Sequence, residues 1–242
     1  MCIRDSIYVW YVAYSAGMTD RLVLMAILVT VWGMRLTFNF ARRGGYSWKF
    51  WEGDEDYRWA ILQQNDIFKN QPMRWRLFNF FFISLYQNAL IFLFTVPIIA
   101  AIAGHEIPLN IWDYLLAGAF LFFVVIEYIA DQQQYDFQTK KYELINAGKD
   151  LPLPYSKGFV DSGLWGKMRH PNYMAEQAVW GVFYLFSVSA TGEWINWSAI
   201  GFLLLMILFY NSSNFSEEIT AGKYPQYAGY QKRVGRFLPK LF

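Results

Sequence analysis

The stretch RLVLMAILVTVWGMRLTFNFA, residues 21–41, constrains this chain more than any other part of it. A helix needs about 20 apolar residues to cross the hydrocarbon core of a bilayer. Comparable blocks recur at 76–103, 108–130, 171–190 and 194–211. In lipid every backbone N–H and C=O must be satisfied within the spanning segment, so such blocks read as helices. The expectation is an all-α, polytopic integral membrane helical bundle of about five to seven transmembrane helices, formed by residues 1–242 as one membrane domain.

Composition agrees. Charged residues make up 17% of the chain and hydrophobic ones 55%, against about 25% charged in a soluble domain. A net charge of +2 gives no electrostatic reason to expect nucleic acid as a partner. One cysteine and two histidines exclude a disulfide framework and a histidine-built metal centre, and no metal ligand set is expected. The opening MCIRDS, residues 1–6, matches nothing that follows and reads as a non-native start. IYVWYVAYSAG, residues 7–17, is short for a span and reads as the tail of a helix or an interfacial segment.

The charges are unevenly placed. Of the 21 Lys and Arg, all but Arg4, Arg21 and Arg35 fall in three segments: the loop from 42 to 76, the stretch 132–169, and the tail 212–242. The alternate loops, 104–107 and 191–193, hold none. The positive-inside rule puts the three basic segments, and with them the C-terminus, on the cytoplasmic side. Loops 42–75 and 132–169 and an amphipathic tail would then meet any phosphate-bearing cofactor there.

Four groups carry chemistry. In RHPNYMAE, Pro171 suits a first helical position, and the free N–H groups behind it with Arg169 and His170 make a site for an anion. Asn172 and Glu176 are four apart and share a face, with Tyr173 on a neighbouring stripe. Inside a span they are costly against lipid and should face a cavity or the bundle interior; a capped helix with a structural Arg–Glu pair is the plainer alternative. In EYIADQQQYDFQTKKY, Glu127 lies among apolar residues and Asp131 follows one turn later; Gln134, Tyr135, Gln138 and Lys141 then suit ribose and carboxamide groups, or simply a solvated helix extension. Arg35 sits well inside the first span and either snorkels or pairs with Glu127 or Glu176. The closing Tyr224, Tyr227 and Tyr230, followed by Lys232, Arg233 and Arg236, make a basic aromatic stripe for a nucleotide or for anionic lipid. The acidic GDEDYRW at 53–59 reads as a solvated turn.

GLWGKMRHPNYMAE, EDYRW, WGMRL and the terminal YPQYAGYQKRVGRFLP together resemble a bacterial membrane family of uncharacterised proteins (DUF1295-like) related to steroid 5-alpha-reductases. The resemblance runs from about residue 30 to the end, and the wider superfamily includes sterol reductases and isoprenylcysteine methyltransferases. It implies a helical membrane enzyme, an integral protein of the bacterial inner membrane, with a cofactor cavity on the cytoplasmic side. By resemblance the cofactor is NADPH. Asn172 and Glu176 would lie toward its nicotinamide, with Asp131, Arg35, Tyr224, Lys232 and Arg233 also matching family positions. The chain departs where the steroid reductases carry a tyrosine three residues before the arginine; here that residue is Trp32, so another proton donor, Tyr57 or Tyr86, is needed. The expected activity is hydride transfer from NADPH to a conjugated double bond of a lipophilic, steroid-like substrate taken from the membrane. The alternative is an S-adenosylmethionine-dependent lipid or isoprenylcysteine-type methyltransferase, which the pair Glu217–Glu218 also resembles.

Overall fold

The computed structural model describes residues 2–45, 57–104 and 106–240. The chain divides into two compact units, Met1–Ala117 with Val182–Leu205, and Gly118–Gly181 with Met206–Phe242. Among the described residues the fold is helical, and the sole bridge between extended segments pairs Met168 with Gly235.

The first unit begins with α1 (Cys2–Ser15) and α2 (Asp20–Ala41). The helix thus runs through the segment read as an appended start. Trp10 Nε1 donates to Thr30 Oγ1 at 2.9 Å, fastening α1 to α2. After α3 (Tyr57–Gln63) comes a nearly continuous helical run from Pro72 to Gly104. It comprises α4 (Pro72–Phe78), a π-helical stretch at Asn79–Tyr86, α5 (Gln87–Thr95) and α6 (Pro97–Ala101). Pro97 lacks an N–H and interrupts the ladder, which separates α5 from α6. Through the π-helical stretch Phe78, Phe82 and Tyr86 stack at 5.0 and 5.2 Å. The expected loop 42–75 therefore holds a helix, and its residues 46–56, including most of the acidic turn, lie outside the described residues.

Two close approaches shape this unit. A Cβ on Gly104 would stand 2.3 Å from the Ala190 carbonyl oxygen, and one on Gly201 would stand 2.1 Å from that of Leu93. Arg21 is buried and pinned: Nε and Nη2 donate to the Asp113 carboxylate at 3.0 and 2.9 Å, and Nη1 donates to the Gly104 carbonyl at 3.0 Å. Asp113 also accepts from Ser189 Oγ and from the Asn110 backbone N–H.

The second unit is built from most of α7 (Ile111–Asn146), the first half of α8 (Pro171–Thr191), most of α9 (Ala199–Lys223) and α10 (Tyr227–Arg233). At 1.5 Å per residue, the 36 residues of α7 extend about 54 Å, well beyond a hydrocarbon core of about 30 Å. The helix therefore has more length than a crossing needs, and it continues through the polar residues after Ala130. The helix starts at Ile111 rather than Pro108 because Asn110 caps it, its side-chain oxygen accepting the Trp112 N–H at 2.8 Å.

The last apolar block is shifted relative to the expected 194–211. Asn196 holds Ser198 in a loop, its Oδ1 accepting from both the N–H and the hydroxyl of that residue. α9 then runs on through NSSNFSEEITAGK, where Ser213 and Thr220 return their hydroxyls to carbonyls three and four residues back. Pro225, two residues past its end, disfavours continuation.

Four helices among the described residues are long and apolar enough to cross a membrane: Asp20–Ala41, Pro72–Gly104, Ile111–Asn146 and Ala199–Lys223. α8 has the length, at 21 residues, but opens on Asn, Tyr, Glu and Gln. α7 shows why the bilayer is the right solvent. Leu121, Phe122, Val125 and Ile129 are exposed, while Glu127 and Asp131 are buried at 5% and 6%. Water would reverse that arrangement; hydrocarbon favours it.

Candidate functional site

In the second unit, the polar residues of α7 fall on one stripe. Glu127, Asp131, Gln134, Gln138 and Lys141 are spaced by four, three, four and three, so they share a helix face over about 21 Å. Glu127, Asp131 and Lys141 are buried, and Gln134 and Gln138 half-buried. The face that would ordinarily carry the apolar stripe of a packed helix is here acidic at one end and cationic at the other.

The loop after α7 folds back onto it. The Leu164 N–H donates to Gln133 Oε1, and Trp165 Nε1 donates to the Ala130 carbonyl, both at 3.0 Å. Gly163 sits at φ +61°, and a Cβ there would stand 2.6 Å from Gln133 Oε1, so conformation and space both call for glycine. The loop is held from its other side by Tyr230, whose hydroxyl donates to the Trp165 carbonyl at 2.5 Å.

α8 enters from this loop. Asn172 Nδ2 donates to Asp131 Oδ1 at 3.4 Å, which brings together two residues singled out from sequence and 41 positions apart. Glu176 Oε1 accepts from Trp180 Nε1 at 2.8 Å. Asn172, Tyr173 and Glu176 are half-buried, while Trp180 is fully enclosed. Tyr173 stacks on the His170 ring at 5.2 Å and leans on Phe209.

Arg169 and His170 have a different role from the one expected. Arg169 donates through Nε and Nη2 to the Glu217 carboxylate at 2.7 and 3.3 Å, and through Nη1 to the carbonyls of Gln231 and Val234. His170 Nε2 meets Glu217 Oε1 at 2.9 Å, and Gln231 Nε2 donates to Oε2 at 2.7 Å. The backbone N–H groups of Arg169 and His170 donate to the carbonyls of Gly235 and Arg236. This is a clip that fastens the C-terminal tail to the entry of α8. The open anion site read at the start of α8 is therefore corrected: its arginine is neutralised by Glu217, and the Tyr173 N–H is taken by the Asn172 side chain at 3.0 Å. The plainer alternative, a structural Arg–Glu pair, holds, although the acid is Glu217 and not Glu176. Sequence reasoning had noted Glu217 only in its pairing with Glu218. Its signal is one of only two acids in α9, the other being its neighbour Glu218.

The tyrosine stripe is also divided. Tyr227 and Tyr230 pack against Phe159 at 4.9 and 5.3 Å in a buried aromatic cluster, and burial pushes both phenols well above the ordinary tyrosine range. Tyr227 thus belongs to the core of the unit, not to a ligand face. Lys232 and Arg233, on the other side of α10, are exposed. Tyr224 is half-buried, and its hydroxyl accepts from Lys141 Nζ at 3.0 Å.

Arg35 and Tyr86 belong to the first unit. Arg35 is buried; Tyr86 is half-buried at the end of the aromatic stack. Trp32, one turn before Arg35, is buried edge-on to Phe94 at 6.3 Å. The Tyr57 side chain lies outside the described residues.

Helices with apolar outer faces and buried ionisable residues define an integral membrane protein of the helical class, with a polar interior in its second unit. The chain belongs to the DUF1295 family, described as proteins of unknown function, whose model matches residues 4–234. It is similar to an uncharacterised protein of the fission yeast Schizosaccharomyces pombe, 38% identical over 229 residues. That similarity covers 91% of this chain, which spans 64% of the relative's length. No solved structure matches.

Proposed function

We propose that the chain is a membrane-embedded, NADPH-dependent reductase of the steroid 5-alpha-reductase type, acting on a conjugated double bond of a lipophilic, steroid-like substrate drawn from the bilayer. The observation that carries this reading is the polar interior of the second unit. Buried Glu127 and Asp131 on α7 and half-buried Asn172 and Glu176 on α8 are ionisable or amide groups that hydrocarbon would not tolerate without a purpose.

The residues present fit a nicotinamide carboxamide. Asn172 carries a second amide proton beside the one directed at Asp131. The Glu176 carboxylate, held by Trp180 Nε1, is an acceptor group. An amide donor and a carboxylate acceptor one turn apart match the C=O and NH2 of a carboxamide. When bound, NADPH would supply a hydride to one carbon of the alkene, and a protein or solvent acid would supply the proton to the other. Trp180 holds the Glu176 carboxylate in place and, being enclosed, keeps water from that side. Asp131 orients the Asn172 amide. The basic loops and tail support a cytoplasmic setting for this end of the molecule and the C-terminus, the side on which NADPH would be supplied.

The test is thermal stabilisation of the purified protein in detergent, since a ligand stabilises the fold that binds it. NADPH should raise the melting temperature, and Glu176→Ala should remove that rise. A rise with S-adenosylmethionine and none with NADPH would replace this reading by a methyltransferase acting on a lipid or prenylated thiol. One feature favours that second reading: Glu217, of the acidic pair shared with that branch, is the residue that meets both Arg169 and His170.

A further inference from the structure

Lys141 stands at the cytoplasmic end of the polar stripe on α7, and it is 7% exposed. Its Nζ donates to the Gly158 carbonyl at 3.1 Å and to the Tyr224 hydroxyl at 3.0 Å, and it lies 5.3 Å from the centre of the Tyr224 ring. None of these partners is an anion. Among the described residues no carboxylate stands within ion-pair distance of this ammonium. Buried charges are ordinarily paired with an opposite charge, because an uncompensated one is costly to desolvate. Two other buried cations, both arginines, obey that rule: Arg21 has Asp113 and Arg169 has Glu217.

The local construction is built to hold this lysine. Gly158 sits at φ +82°, and a Cβ there would stand 2.0 Å from the Tyr224 ring, so the loop can reach Tyr224 only as glycine. Two donors remain. An ammonium has three protons and two are assigned; the Tyr224 hydroxyl, having accepted one bond, still has its own proton to give. Tyr224 is only half-buried, which opens the pair toward solvent. A cation and a phenol O–H side by side suit a phosphate oxygen.

We propose that Lys141, with Tyr224, binds a phosphate monoester: the ribose phosphate that distinguishes NADPH from NADH. This rests on the dinucleotide reading above. Along α7, Lys141 lies ten residues, about 15 Å, from Asp131. An extended dinucleotide with its nicotinamide at Asn172 and Glu176 would reach past its diphosphate over that length, to the adenosine ribose. The proposal also accounts for selectivity without Arg169, whose charge Glu217 has already taken.

The experiment measures the affinities of the detergent-purified protein for NADPH and NADH, with vesicles of phosphatidic acid as a third arm. Wild type should prefer NADPH. Lys141→Gln should lower NADPH affinity roughly tenfold to a hundredfold, the worth of one charged hydrogen bond, and leave NADH affinity within about twofold. Lys141→Arg should keep the preference. Should Lys141→Gln fail to fold, Tyr224→Phe, which removes only a hydroxyl, should still reduce the preference several-fold. An unchanged NADPH-to-NADH ratio in Lys141→Gln or Tyr224→Phe would overturn the assignment while leaving the reductase reading intact. Stabilisation of wild type, but not of Lys141→Gln, by phosphatidic acid would give the site to a lipid headgroup instead. A wild type that binds neither dinucleotide would sink both readings.

Discussion

Among the described residues, the buried arginine–carboxylate pairs Arg21–Asp113 and Arg169–Glu217 stand in different units and are built differently. Arg21 and Asp113 close on themselves. Every other bond around them goes to a main-chain carbonyl, a main-chain N–H or the Ser189 hydroxyl, and Asp113 is wholly enclosed. Arg169 and Glu217 instead share their bonds with other side chains. His170 and Gln231 both reach the carboxylate, Arg236 stands 3.9 Å from it, and Tyr173 stacks on His170 next to half-buried Asn172. The first pair is a pin. The second is a clip at the edge of a polar interior. Burial of charge alone therefore does not distinguish the two settings; the half-buried polar neighbours of the second pair do.

The largest expected effect tests both pairs. Asp113→Ala and Glu217→Ala should each lose about 3–5 kcal/mol, because each strands a buried guanidinium. Thermal unfolding in detergent measures this. The comparison sharpens in hydrogen exchange. Glu217→Ala should strip protection from residues 231–236, which hang on that carboxylate and on the backbone bonds beside it, while Asp113→Ala should leave them protected. Equal protection of the tail in both variants would erase the distinction between pin and clip.

A smaller effect contrasts two glycines of the same helix. Gly201→Ala pushes a methyl into the Leu93 carbonyl and should cost about 1–3 kcal/mol. Gly222→Ala meets nothing within 4 Å and should gain about 0.5 kcal/mol from helix propensity. Melting curves that move in the same direction for both would show that the packing at Leu93 is not as close as described.

The smallest effect is alkaline. Tyr227 and Tyr230 have phenol pKa values raised by burial in the folded protein. The folded state therefore keeps its protons above the pH at which the unfolded chain releases them. Their contribution is complete below the unfolded value of about 10 and declines as pH rises through the folded value, by about 1 kcal/mol per residue for the first unit of pH above 10. Tyr227→Phe should flatten this decline between pH 10 and 11. An unaltered slope in that variant would remove Tyr227 from the buried cluster.

Much of the fold was legible beforehand, since the spans follow from local runs of apolar residues. α2 was expected at 21–41 and stands at Asp20–Ala41; α8 was expected at 171–190 and stands at Pro171–Thr191. The largest misplaced boundary was the end of α9, where polar serines and glutamates ended the apolar pattern without ending the helix. Within the site, Asn172 and Asp131 were named from their types and positions, and they do meet. The roles of Arg169, His170 and Tyr227 were not readable, because an arginine beside a helix start looks the same whether its charge is open or already matched.

What the amino-acid order by itself determined is the list of segments that must leave water, since transfer of apolar surface is roughly additive along a run of neighbouring residues. It also gathers 18 of the 21 Lys and Arg into three segments. Only the tertiary structure decided the partners. Arg21 finds Asp113 across 92 residues, Arg169 finds Glu217 across 48, and Lys141 finds Tyr224 across 83. A charge in a low-dielectric interior must be matched by whatever group packing brings within a few ångströms, and no local pattern specifies that neighbour.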